Sequence, residues 1–159
     1  MVTPQHISAA DVLLDMEAGN KRRVLEALST EAARRSGRAE ADILAALQAR
    51  EELGSTALGR GVALPHARMA GDHPPLMLFA RLSKPIDYEA RDEEPVDLVI
   101  LVLWPEASPE GFLPTLAATC RPLRAPAALR RLRGATAPEE VVAVLERYGA
   151  AGADAEDDR

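Results

Sequence analysis

Six aliphatic residues in succession, Leu98-Val99-Ile100-Leu101-Val102-Leu103, sit inside a strand-like run from Val96 to Trp104. A strand alternates its side chains between two faces, so this one is apolar on both and has to be covered on both. That condition puts it in the middle of a sheet sandwiched between helices. The rest of the chain supplies the covering elements.

Asn20 as N-cap and Gly37 as terminator bracket a first helix that buries Val24, Leu25, Leu28 and Ala32 on one stripe. A second helix from Glu40 to Glu52 turns Ile43, Leu44 and Leu47 inward. Val62 to Leu64 reads as a short strand and Leu76 to Leu82 as a longer one. Between that strand and the central one, Lys84 to Pro95 is polar and turn-rich, a hairpin or long loop at the sheet's end. The last third reads as helices, over Pro114 to Arg121 and over Pro126 to Arg133, the latter closed by Gly134. A final helix starts at Thr136, whose spacing to Glu139 makes a capping box, and buries Val141, Val142, Val144 and Leu145. This order gives a layered α/β fold in a single domain, with no internal repeat.

At 159 residues the chain can bury a core without disulfides or metals. Cys120 is alone, no apolar run is long enough to cross a bilayer, and no signal pattern opens the chain, so a cytoplasmic location without membrane insertion is expected. A net charge of −6 argues against general affinity for nucleic acid. Arg121, Arg124, Arg130, Arg131 and Arg133 form a basic stretch without stacking aromatics, read as the solvated face of helices packed through Leu123, Leu129 and Leu132. Residues 149–159, with Asp154, Glu156, Asp157 and Asp158, are expected to be a disordered acidic tail behind a domain at 1–148.

The chemistry is concentrated between Arg50 and Arg68. His66 follows a proline, behind a loop with Gly54, Gly59, Gly61, Ser55 and Thr56, and an arginine stands at each end of the segment. A neutral imidazole accepts a phosphoryl group near neutral pH without prior deprotonation. Pro65 gives the histidine a defined exit from the strand. The glycines allow backbone N–H groups to approach an anion, and the two hydroxyls add donors. Arg50 lies on the inward stripe of its helix, three residues after Leu47, where its guanidinium can clamp phosphoryl oxygens. His6 and His73 sit in turns without such a setting. Metal-ligand spacing, a nucleophile elbow and a Walker A loop are all absent from the sequence, and no cofactor is implied.

Gly54-Ser55-Thr56 with Gly61-Val62-Ala63-Leu64-Pro65-His66 resembles the active-site segment of the fructose/mannitol-type enzyme IIA domains of the bacterial phosphotransferase system, nearest to their nitrogen-regulatory branch. Pro85-Ile86-Asp87-Tyr88, Asp92 and Pro95-Val96-Asp97-Leu98-Val99 extend the resemblance, which covers Ile7 to about Tyr148. It implies a central mixed β-sheet with helices packed on both faces. It also implies a phosphoryl group received on His66 from an HPr-type phosphocarrier protein, with Arg50 as the active-site arginine and Gly54, Ser55 and Thr56 around the phosphate. The downstream partner would be an unidentified regulated protein, whether a kinase, a transporter or a IIB-like domain.

The chain departs from that family pattern at Phe112, where a second histidine is usual, in Phe112-Leu113-Pro114-Thr115-Leu116. A phenyl ring donates no hydrogen bond. Pro114 also restricts the helix start, expected there and not earlier. A regulatory phosphocarrier signalling nitrogen or carbon status is the leading expectation. The alternatives are a phosphorylation-independent binding module with a degenerate site, and a sugar-uptake IIA passing phosphate to a IIB domain.

Overall fold

The computed structural model describes residues 7–151. The expected central strand is there as β6 (Val96–Pro105). Its even residues Leu98, Ile100, Val102 and Trp104 join one buried cluster, while Val99, Leu101 and Leu103 join another. Helices α1 (Lys21–Ser36) and α2 (Glu40–Glu52) cover the second face through Val24, Leu25, Leu28, Ile43 and Leu47. The first face lies under α4 (Pro126–Gly134) and α5 (Pro138–Ala151), through Leu129, Leu132, Val141 and Leu145. Each such aliphatic side chain contributes about 1.5–3 kcal/mol by leaving water, so two-sided burial of one strand is a large part of what holds the layers together.

The sheet is mixed and six-stranded. The other strands are β1 (Val12–Met16), β2 (Ala57–Gly59), β3 (Val62–Ala63), β4 (His66–Met69) and β5 (Leu76–Ile86). Their order is β1-β5-β6-β3-β2, with β4 also paired to β6. β5 runs antiparallel to β6, whereas β3 and β4 both run parallel to it. Two short strands thus share one edge of β6, separated by Leu64-Pro65. Pro65 has no N–H to donate, but its carbonyl accepts from Val102 N at 3.1 Å, so pairing continues across the break and His66 resumes it opposite Val102.

Several sequence expectations need correction. Val12–Met16, Ala57–Gly59 and His66–Met69 are strands that the hydrophobic pattern did not reveal, and β5 runs on to Ile86 into what was read as loop. The helix over Pro114–Arg121 instead begins earlier, as α3 (Phe112–Cys120), after a 3-10 turn at Pro109–Gly111. Pro114 is its third residue, where a backbone N–H has no partner within the helix and its loss is harmless. The last helix starts at Pro138, not Thr136. The side chain that reaches back to Thr136 belongs to Glu140, not Glu139, and accepts from the threonine hydroxyl at 2.7 Å. That helix runs past Tyr148 to Ala151, while residues 152–159, the bulk of the expected tail, lie outside the described residues. Asn20 caps α1 as expected, its side chain accepting from Arg23 N at 2.9 Å, and Gly37 closes it at φ +76°.

Candidate functional site

His66 opens β4 with its ring oriented by its own chain. Nδ1 lies 2.8 Å from the Leu64 carbonyl, which can only accept, so Nδ1 carries the ring proton. Nε2 therefore holds the lone pair. Arg50 donates its Nε–H to Nε2 at 3.2 Å, and its Nη1 is fixed on the Gly54 carbonyl at 2.9 Å. Burial lowers the imidazole pKa below its ordinary 6.5, and the Arg50 charge lowers it further against the opposing pull of the Leu64 hydrogen bond. The arrangement keeps an uncharged ring with a nucleophilic Nε2 at neutral pH, beside a guanidinium suited to an incoming anion.

Pleat alternation decides which way His66 faces. Ala67 and Met69 belong to the cluster under α1 and α2, so His66 and Arg68 turn to the opposite face, towards α3. There Phe112 meets the imidazole, ring centroids 5.8 Å apart and tilted by 59°. Trp104 backs Phe112 at 6.1 Å, its indole nitrogen donating to Ser108 O at 2.6 Å, and the guanidinium carbon of Arg68 lies 5.9 Å from the Phe112 centroid. Gly111 makes this packing possible: a Cβ there would stand 2.7 Å from the Trp104 ring. Trp104 is thus a packing residue, 4% exposed, that seats the wall facing His66.

The structure brings Arg50, Gly54 and His66 together. The hydroxyls of the loop are otherwise engaged. Ser55 donates to Tyr88 O at 2.8 Å, and Thr56, which is buried, donates to the Glu51 carboxylate through Oγ1 and through its backbone N–H at 3.0 Å. Gly59 and Gly61 lie elsewhere, Gly59 at the end of β2 and Gly61 in the turn from β2 to β3. Val62 pairs with Leu98 and His66 with Val102, which separates the two by roughly 13 Å along the strand direction. There they serve chain reversal: Arg60 N donates to Asp92, and Gly61 packs against Arg133. His73 bonds only Pro74 O at 2.9 Å, and His6 falls outside the described residues. Among the described residues no group of three His, Cys, Asp or Glu side chains could hold a metal, and no helix is long and apolar enough to cross a membrane.

Sequence reasoning missed Glu51. Its carboxylate is buried beside Arg50 and takes donors from Thr56, from Tyr88 Oη at 3.0 Å and from Lys21 Nζ at 3.0 Å. Burial works against the Lys21 charge, but hydrogen bonds to Glu89 and Glu51 outweigh it and hold its pKa above the ordinary lysine value. A signal existed. Glu51 falls four residues after Leu47 and eight after Ile43, on the inward stripe, where a carboxylate needs partners.

Residues 5–148 match the family described as phosphoenolpyruvate-dependent sugar phosphotransferase system, EIIA 2. The nitrogen regulatory protein of Bradyrhizobium diazoefficiens is 37% identical over 145 residues, spanning 91% of this chain and 92% of that one. The nitrogen regulatory protein of Pseudomonas aeruginosa is 37% identical over 134 residues, spanning 84% and 87%. Among solved structures, nitrogen regulatory protein IIA-Ntr from Neisseria meningitidis superposes with a TM-score of 0.84 at 34% identity, covering 89% of this chain and 97% of that one. Mannitol enzyme IIA of Escherichia coli, in its complex with phosphorylated enzyme IIB, shares the fold at a TM-score of 0.74 and 18% identity, over 89% and 97%.

Proposed function

This chain belongs to the phosphotransferase system EIIA 2 family, among its nitrogen regulatory proteins, and from that premise we propose that it is a regulatory phosphocarrier charged on Nε2 of His66. The donor is the phosphohistidine of an HPr-type carrier in the cytoplasm, and the phosphorylation state is read by a regulated partner protein. One observation carries this reading: the Leu64 carbonyl and the Arg50 Nε–H together leave Nε2 as the only nucleophilic position of the ring.

The same two contacts supply the mechanism. In an in-line displacement the N–P bond to the donor breaks with its electron pair returning to the donor ring, while the Nε2 lone pair forms the new N–P bond. As the phosphoryl group arrives, Arg50 gives up its contact with Nε2 and its N–H groups face the phosphoryl oxygens, with Nη1 still anchored to Gly54 O. The proton stays on Nδ1 throughout, hydrogen-bonded to the Leu64 carbonyl. In the reverse step Nε2 therefore leaves as a neutral imidazole with no proton needed from a second histidine. This supports onward transfer in a chain that has Phe112 at the family's second-histidine position.

The test is to mix the protein with a phosphorylated HPr-type carrier and assay for an acid-labile, base-stable phosphoadduct. Wild type should label and His66→Ala should not. An unlabelled wild type, or an equally labelled His66→Ala, overturns the phosphocarrier reading in favour of a binding module.

A further inference from the structure

We infer that Arg68 is a second guanidinium ligand for the phosphoryl group on His66, held in place by the ring of Phe112; the inference rests on the phosphocarrier reading of His66. His66 and Arg68 are two positions apart on β4 and face the same side of the sheet, about 7 Å apart along the strand. Arg68 stands opposite Trp104 in the β4–β6 register, and Trp104 seats Phe112. One phenyl ring is therefore in contact with both side chains, at 5.8 Å from the imidazole and 5.9 Å from the guanidinium carbon.

The engagement of Arg68 differs from that of other arginines around the sheet. Arg38 bonds Ala70 O, Arg81 bonds three carbonyls at the end of α4, and Arg133 pairs with Asp97. Arg68 is exposed, and among the described residues its guanidinium makes no hydrogen bond or ion pair; the Phe112 ring is its partner. A guanidinium on an aromatic face keeps its N–H groups in its own plane, free to bond an anion at the edge. Phe112 cannot donate to a phosphoryl group, but it holds a group that can.

With Arg50 on Nε2 and Arg68 reaching the phosphoryl group from the Phe112 ring, the charge developing on the three equatorial oxygens is met by two guanidinium groups. Arg68 exchanges no proton and forms no covalent bond: the N–P bond passes from donor nitrogen to Nε2 with its electron pair returned to the donor. The competing role for an exposed arginine here is docking an acidic donor surface, which changes association and leaves the chemical step alone.

Single-turnover labelling by the phosphorylated HPr-type carrier separates these roles. Arg68→Ala should slow labelling at saturating donor by about tenfold, the low end for losing a charge-assisted contact, with the half-saturating donor concentration unchanged. Arg68→Lys should recover part of the rate. Phe112→Leu, which removes the seat, should slow labelling too, and adding it to Arg68→Ala should slow it no further. Unchanged labelling in Arg68→Ala, or a loss confined to the half-saturating concentration, overturns the inference. A second arm needs no donor: titrating 15N-labelled protein with inorganic phosphate should shift the Arg68 Nε–Hε resonance, and phosphate affinity should fall in Arg68→Ala. No shift, or equal affinity, overturns the inference, whereas failure of wild type to label overturns the reading of His66 itself.

Discussion

The Tyr88 hydroxyl donates to the Glu51 carboxylate at 3.0 Å across 37 positions of chain. This bond ties the end of β5 to the end of α2, and Ser55, whose hydroxyl donates to Tyr88 O, ties in the loop between them. Burial, reinforced by the Glu51 charge, pushes the Tyr88 pKa far above the usual tyrosine value, so the hydroxyl remains a donor at every physiological pH. Glu51 is thus the acceptor on which the backing of the Arg50–Gly54 segment converges.

Removing that acceptor should hurt more than removing one donor. Glu51→Ala leaves the Tyr88 hydroxyl, both Thr56 donors and Lys21 without their shared partner, and should reduce stability by about 3 kcal/mol. Tyr88→Phe loses a single hydrogen bond and should cost about 1–2 kcal/mol. Urea denaturation of the two variants measures both, and a larger loss for Tyr88→Phe would show that the network is not centred on the carboxylate.

Arg50 should matter to chemistry and little to folding. Its two contacts are with His66 and a loop carbonyl, at a partly exposed position. Arg50→Lys keeps the charge but cannot hold the Gly54 carbonyl and face Nε2 at once. Labelling of His66 should fall at least about tenfold, while the unfolding free energy should change by less than about 1 kcal/mol. A large drop in Tm with normal labelling would make Arg50 a structural residue.

The depressed pKa of His66 has a defined pH signature. The folded protein resists protonating the ring, so the unfolded chain binds that proton first as pH drops below 6.5. The stability linked to His66 is complete above that value and declines as pH falls towards the lower folded pKa. Following the His66 Cε1 proton by NMR between pH 8 and 5 should place its midpoint below 6.5. Arg50→Gln should move the midpoint up by removing the neighbouring charge, with burial still keeping it under the ordinary value. A wild-type midpoint above 6.5 would contradict the buried, arginine-flanked setting.

What could be read from the sequence followed the strength of the local signal. β6 announced itself because six aliphatic residues leave no polar face, and α1 because Asn20 and Gly37 mark both ends. β1, β2 and β4 are only 5, 3 and 4 residues long, too short to show a period, and what makes them strands is the neighbour each lies against, β5 for β1, β3 for β2 and β6 for β4. His66 and Arg50 were legible because residue type and stripe position both pointed at one place. Glu51 was not read, although its stripe position called for partners, since those partners, Tyr88 and Lys21, are remote in the chain. Gly59 and Gly61 misled because a turn and an anion cradle ask for the same residue.

That last ambiguity can be resolved at Gly61. Its φ is +82°, and a Cβ would come 2.5 Å from Arg133 Nη2 and 3.1 Å from the Pro95 carbonyl. Arg133 holds Asp97 at 3.0 Å and also donates to Arg60 O, so pushing it aside disturbs the clamp on the β2–β3 turn. Gly61→Ala should therefore destabilise the fold by about 2 kcal/mol, from left-handed strain and the displaced arginine together. The rate of His66 labelling, measured well below the lowered Tm, should match wild type, because the turn lies roughly 13 Å from the imidazole along the strand direction. If labelling collapsed while Tm held, Gly61 would belong to the phosphate site after all, and the turn would owe its glycine to the anion.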